Sequence, residues 1–231
     1  MRNRLLPAAV ALLLAASLSA CGSSSSSPTE STAKGGCDYP TAGKAAKDVR
    51  PPATTPDEDA PTEMTILTDR GAIKVALDPD KAPCTVNSFV NLAQSQYFDD
   101  TTCHRLVTSG IFVLQCGDPS ASGSGGPGYS FKDELTDDDP RLTDCADQNT
   151  AQGPVTVCTY PAGTLAMANS GPDTNGSQFF LVYKDSPLPP DYTVFGRMSA
   201  GGLAVVRKIA QDGNAADGVA PKTTTTITSV S

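Results

Sequence analysis

Three textures follow one another along the chain. Residues 5–18 are an apolar run without charge, and residues 22–60 hold Ser, Pro, Thr, Ala and charged side chains with hardly a large aliphatic one. From Met64 onward, short apolar runs alternate with turn residues. Met64-Thr65-Ile66-Leu67 and Ala72-Ile73-Lys74-Val75-Ala76-Leu77 flank Thr68-Asp69-Arg70-Gly71, and two strand-like runs about a polar turn ending in Gly predict a β-hairpin. Pro83 opens the next stretch, where Val86, Phe89, Val90 and Ala93 recur at three- and four-residue spacing. That spacing makes one apolar helix face, and Pro in the first turn gives up only an N–H that has no intrahelical partner. Strand-like segments follow at 103–107, 111–115, 164–168, 178–183 and 192–196; Leu203, Val206 and Ile209 predict a second helix, and 225–230 a last strand. Many short strands with two widely separated helices predict a mainly β fold: a closed or nearly closed antiparallel β-barrel capped by two α-helices.

The first 60 residues set the organisation. Met1-Arg2-Asn3-Arg4 followed by an apolar run too short to span a bilayer reads as a signal peptide over residues 1–20. Residues 21–60, which include Pro51-Pro52 and Pro56, can bury too little apolar area to order themselves and read as a flexible linker to a domain at 61–231. Cys37 and Tyr39 are the exceptions, marking a stretch able to dock back on that domain. Leu18-Ser19-Ala20-Cys21 resembles the bacterial lipobox, which implies cleavage before Cys21, acylation of its thiol with palmitate, and a lipid anchor on the extracytoplasmic face of the cell membrane.

Acidic residues outnumber basic ones 25 to 17 for a net charge of -8, which offers phosphates no positive surface and argues against a nucleic-acid partner. Beyond Cys21 there are six cysteines, and an oxidising location permits disulfides among them. Cys145 with Cys158 is the favoured pair, because a cross-link there would restrain the polar loop they bracket; the pairing of Cys37, Cys84, Cys103 and Cys116 stays open. With one His and no Cys-x-x-Cys, a zinc site is not expected. Asp137-Asp138-Asp139, Asp144 and Asp147 miss the spacing of an EF-hand and read as a solvated loop, so neither metal nor cofactor is expected.

The chemistry-bearing segment is Met167-Ala168-Asn169-Ser170-Gly171-Pro172-Asp173-Thr174-Asn175-Gly176-Ser177-Gln178-Phe179-Phe180. It sets the amides of Asn169, Asn175 and Gln178 beside an aromatic pair, a combination able to hydrogen-bond and to pack a peptide. The usual hydrolytic signals, Gly-x-Ser-x-Gly and His-Glu-x-x-His, do not occur in the sequence. This run closely resembles the most characteristic motif of the cyclophilins. Cys103-His104-Arg105-Leu106-Val107 with Phe112-Val113-Leu114-Gln115-Cys116-Gly117-Asp118 is similar to a second motif of that family, and Gly123-Ser124-Gly125-Gly126-Pro127-Gly128-Tyr129 to its glycine-rich loop.

The resemblance implies an eight-stranded closed barrel and a peptidyl-prolyl cis/trans isomerase, acting as a monomer on proline-containing polypeptides. It implies catalytic roles for Arg105 and for Gln115, which would orient Arg105 and the substrate. Phe112, Val113, Phe180 and Leu188 correspond to the walls of a proline pocket, with Tyr192 where the family usually has a His. Ala168, Asn169 and Ser170 correspond to the edge that pairs with the substrate backbone, and Gln178 lies beside it. His104 reads as structural, since amide rotation transfers no proton and its strand neighbour Arg105 points to the opposite face. The match is weaker at the rim: the chain has no Trp, Pro187 precedes Leu188 where many members carry one, and Thr108-Ser109 add two residues between Arg105 and Gln115. The alternative reading is a module that binds or holds proline peptides with little turnover.

Overall fold

The first hairpin forms where the alternation places it. Strands β1 (Glu63–Thr68) and β2 (Gly71–Leu77) pair antiparallel with Ile66 opposite Ile73, burying Met64, Ile66 and Thr68 from one and Ile73, Val75 and Leu77 from the other. The Thr68 hydroxyl closes the turn, accepting from Arg70 N at 3.1 Å and donating to Gly71 O at 2.7 Å. The computed structural model describes residues 36–231 except Gln152; the expected signal peptide, Cys21 and the start of the expected linker lie outside the described residues.

Helix α1 (Pro83–Gln94) buries the expected Val86, Phe89, Val90 and Ala93, and Leu92 with them. Its free N-terminal amides are satisfied from a distance: Cys84 N and Thr85 N donate to the Glu134 carboxylate at 2.9 and 2.8 Å, a favourable place for negative charge. Phe89 meets Phe98, Phe179 and Phe195 at centroid distances of 5.2 to 5.5 Å. Helix α2 (Ala200–Gln211) is capped by Ser199, whose hydroxyl accepts from Gly202 N at 3.1 Å, and it buries Val206 and Ile209.

The remaining strands are β3 (Thr101–Thr102), β4 (Arg105–Val107), β5 (Val113–Cys116), β6 (Thr143–Thr150), β7 (Gly153–Tyr160), β8 (Thr164–Met167), β9 (Phe179–Val182), β10 (Ser186–Leu188), β11 (Val194–Met198) and β12 (Thr226–Val230). All ladders are antiparallel. A curled sheet runs in the order β3-β12-β1-β2-β11-β8-β9-β5-β4, and a small one in the order β10-β7-β6. The main sheet therefore has nine strands where eight were expected. Its end strands β3 and β4 are joined through Cys103 and His104, and no ladder closes them among the described residues.

Two regions depart from expectation. The acidic loop is a hairpin: every residue of β6 is exposed, so no buried face left an alternation to read. Backbone pairing with β7 and the Cys145–Cys158 disulfide hold it, the pair the sequence favoured. Asp139 is not a free carboxylate, because Arg141 binds it at 2.7 Å while reaching Asp78 at 3.1 Å and Val194 O at 2.7 Å, tying the hairpin's base to the sheet. Of the four cysteines left open, Cys37 pairs with Cys84 and Cys103 with Cys116.

The second departure is the linker. The compact unit begins at Gly36 rather than at 61. Cys37 and Tyr39 are buried, and the Tyr39 ring packs edge-on against Tyr129 and Phe131 while its hydroxyl donates to Cys84 O at 2.8 Å. Ser130 N donates to Pro40 O at 3.0 Å, Ala42 N to Gly128 O and Ala46 N to Gly126 O at 2.9 Å each, zipping residues 40–46 onto the glycine-rich loop. The approach is so close that a Cβ on Gly128 would lie 3.1 Å from the Ala45 backbone nitrogen and Cβ. Composition measures what a segment can bury by itself; here the domain supplies the apolar partner and a disulfide supplies the tether.

Candidate active site

Strand register sorts the residues of β4, β5, β9 and β8 into two rows. Leu106 faces Leu114, Leu114 faces Leu181 and Leu181 faces Leu165, and all four are buried in the main core. Shifted by one residue, Arg105 faces Gln115, Gln115 faces Phe180 and Phe180 faces Ala166. Since successive side chains point to opposite sides of a strand, the leucine row fixes the other row on the outer face. The site is thus the reverse of the core-forming pattern.

On that outer face lies a pocket of about 210 Å³. Val113, Phe180 and Leu188 form apolar walls, with Tyr192, Ala168 and Asn169 at one side and Arg105 and Gln115 at the other. Eight of the expected site residues therefore converge. Phe112 is the correction among the expected walls: alternation turns it away from Val113, and its ring packs on Tyr183 with Lys184 Nζ 4.3 Å from the ring centroid. Ile111, one residue earlier and back on the outer face, lines the pocket instead. Counting back from Val113 by two would have found it. Tyr192 packs edge-on against Phe180 at 5.5 Å, and behind both sits Tyr160, buried and contributed by β7, a strand not expected from the sequence. Burial pushes the Tyr160 phenol well above its usual range, so it remains a neutral hydrogen-bonding group.

A polar chain runs along the opposite rim. Arg105 Nη1 donates to Gln115 Oε1 at 3.1 Å, Gln115 Nε2 donates to Gln178 Oε1 at 2.9 Å, and Gln178 Nε2 donates to Gly123 O and Gly125 O at 3.0 Å each. Each glutamine accepts at oxygen and donates at nitrogen, which fixes both amide orientations. The glycine-rich loop at the end of this chain is wound around Asp118. That carboxylate is fully buried and accepts from Ser120 N, Gly123 N and Gly125 N at 2.7 to 2.9 Å. Burial opposes its ionisation, but the Ser120 hydroxyl and these amides together outweigh that and hold its pKa below the ordinary carboxylate value. A side chain on Gly125 would collide with Asp118 Oδ1. Below the strands, the Cys103–Cys116 disulfide cross-links the start of the β4 arm to the end of β5, two residues from Arg105 and one from Gln115.

Gln178 and Ser170 line a second depression of about 370 Å³ that shares Gln115, Ala168 and Asn169 with the pocket. Of the expected backbone edge, Ala168 N donates to Gln178 O at 3.0 Å and Ser170 N to Thr174 Oγ1 at 2.8 Å. The Asn169 side chain bridges Asp191 O and Gly171 N. Its own main-chain N–H and C=O have no protein partner among the described residues.

His104 has both ring nitrogens shut from solvent. Burial lowers its pKa, with the Asp118 carboxylate pulling upward and Arg105 adding to the depression. The folded protein therefore takes up the imidazole's proton only at a lower pH than the unfolded chain, which protonates near 6.5. Between those values the unfolded state binds more protons, so stability falls as pH drops below about 6.5 and levels off below the folded pKa. The melting temperature is expected to be lower at about pH 5 than at about pH 7.5, and His104→Gln is expected to shrink that difference. Equal differences in the two proteins would contradict this role. Asp118 and Asp139, held below 3.8, add their own losses only at more acidic pH.

A sequence model described as cyclophilin type peptidyl-prolyl cis-trans isomerase/CLD matches residues 63–231. The chain belongs to the cyclophilin family. A probable peptidyl-prolyl cis-trans isomerase B of Mycobacterium tuberculosis is 49% identical over 205 residues, covering 84% of this chain and 63% of that protein. The chain thus spans less than two thirds of that mycobacterial relative. Peptidyl-prolyl cis-trans isomerase B of Bacillus subtilis is 39% identical over 137 residues, covering 59% of this cyclophilin and 82% of the relative. Among solved structures, a cyclophilin type peptidyl-prolyl cis-trans isomerase of Cryptosporidium parvum superposes with a TM-score of 0.58 at 26% identity, covering 73% of this chain and 95% of the other. The same protein in the presence of the dipeptide Ala-Pro gives a TM-score of 0.56.

Proposed function

We propose that this cyclophilin catalyses cis/trans isomerisation of X-Pro bonds in exported polypeptides, with Arg105 stabilising the twisted imide. Rotation about the bond destroys amide resonance, and the barrier is about 18–20 kcal/mol. As the bond twists, the prolyl nitrogen regains a lone pair and becomes a hydrogen-bond acceptor. A fixed donor aimed there binds the twisted state better than either planar one, and that differential is catalysis. The observation that carries the reading is the Arg105–Gln115–Gln178 chain set across from the apolar pocket. One guanidinium nitrogen is held by Gln115, leaving further donors of the planar fork for substrate. Val113, Phe180 and Leu188 would hold the proline ring while Asn169 pairs with the peptide backbone.

The setting is the membrane surface. The basic start, the short apolar run and Cys21 support export and acylation, and the three disulfides fit an oxidising compartment.

Exchange spectroscopy on an Ala-Pro peptide with catalytic amounts of the chain tests the activity. Uncatalysed exchange takes tens to hundreds of seconds; the expected result is exchange on the second timescale or faster. The rate should be nearly flat from about pH 6 to 9, because rotation about an amide bond transfers no proton. A bell-shaped profile would point to an acid and a base and overturn the mechanism. Peptide binding with exchange at the buffer's own rate would leave a binding module.

A further inference from the structure

We infer that the N-terminal segment at residues 40–46 forms part of the substrate site, and that its Lys44 selects peptides carrying Asp or Glu two or three residues from the proline. The inference rests on the isomerase reading and names its substrate class. The second depression continues directly from the proline pocket, sharing Gln115, Ala168 and Asn169 with it. Its far wall is Ala42, Gly43 and Lys44, residues that precede the stretch matched by the family model. The wall is not a passing tail: its backbone is bonded to the glycine-rich loop through Gly126 and Gly128, and Cys37 ties it to α1 through Cys84.

Lys44 is the single charged residue lining this groove, and among the described residues it takes part in no ion pair or hydrogen bond. No carboxylate among the described residues lines the groove. Asp118 is saturated by the loop it anchors, Asp133 accepts from Asp173 N and Asn175 Nδ2, and Asp173 accepts from Asp133 N. An unpaired ammonium beside neutral amides and hydroxyls favours a carboxylate. An extended peptide advances about 3.3–3.6 Å per residue, so a side chain two or three residues from the proline stands roughly 7–11 Å away, the reach of an adjoining groove.

The test uses the full chain, Lys44→Gln and Lys44→Glu, with matched proline peptides bearing Glu, Gln or Lys at each position two and three residues to either side of proline. The readout is the ratio of kcat/KM between peptides within each protein, which is independent of absolute rate. The expected wild-type result is a preference for Glu over Gln of about two- to fivefold at one of those positions, the size of a single exposed charge pair. Lys44→Gln removes the preference, Lys44→Glu inverts it toward the Lys peptide, and raising salt from about 0.05 to 0.5 M shrinks it. Absence of a Glu preference, or one that persists in Lys44→Gln, overturns the inference while the isomerase reading stands. Failure of the wild type to isomerise any of the peptides sinks both. Because Lys44 is exposed, unchanged melting temperatures confirm that the variants fold.

Discussion

Arg105→Ala is expected to lower kcat/KM on an Ala-Pro peptide by about 10²- to 10³-fold, the loss seen when one preorganised donor to a transition state is removed. The melting temperature should hardly move, because Arg105 is exposed and its side chain bonds to another side chain, that of Gln115. Arg105→Lys keeps the charge without the planar fork, so it should recover only part of the loss. Gln115→Leu offers an independent check: it severs the link between Arg105 and Gln178 while leaving the guanidinium in place, and should reduce turnover by a smaller factor. Equal rates for wild type and Arg105→Ala would refute the assigned role even if the pocket still bound peptides.

Replacing Cys37 and Cys84 together by Ser is expected to lower stability by about 2–5 kcal/mol, a fall of roughly 5–15 °C in melting temperature for a chain of this size. The bridged residues are 47 apart in sequence, and a longer closed loop restrains the unfolded chain more. Hydrogen exchange should show the amides of Ala42 and Ala46 losing protection first, since the segment's other anchors are a few hydrogen bonds and the Tyr39 ring. Removing Cys145 and Cys158, 13 apart, should have a smaller and more local effect, because β6 has no buried residue to release. An unchanged melt after loss of Cys37 and Cys84 would show that Tyr39 and the backbone bonds suffice alone.

Much of this architecture was legible because buried faces leave a period in the sequence. The β1–β2 alternation, the Val86-Phe89-Val90-Ala93 stripe and the α2 triplet each appear where their spacing put them. Elements without a buried face were not legible. Strand β6 presents Thr, Asp, Ala, Gln and Asn to water along its length, and nothing in such a run distinguishes a strand from a loop. The segment at 36–60 failed for the converse reason, since its few anchors act through residues far away in sequence. Within the site, Arg105, Gln115 and Asn169, carried over from the family motifs, line the pocket, whereas Phe112 packs on Tyr183 and strand parity brings Ile111 to the pocket instead. Gln178 was expected merely to lie near the edge, and no linear spacing reveals that it joins Gln115 to the loop.

That joining gives the rim a polarity. The two amides form a one-way circuit with a cation at its head and the carbonyls of Gly123 and Gly125 at its foot. On the proposed isomerase reading, a change at the loop reaches Gln115 and Arg105 through Gln178, so substitutions there should register in kcat as well as in KM.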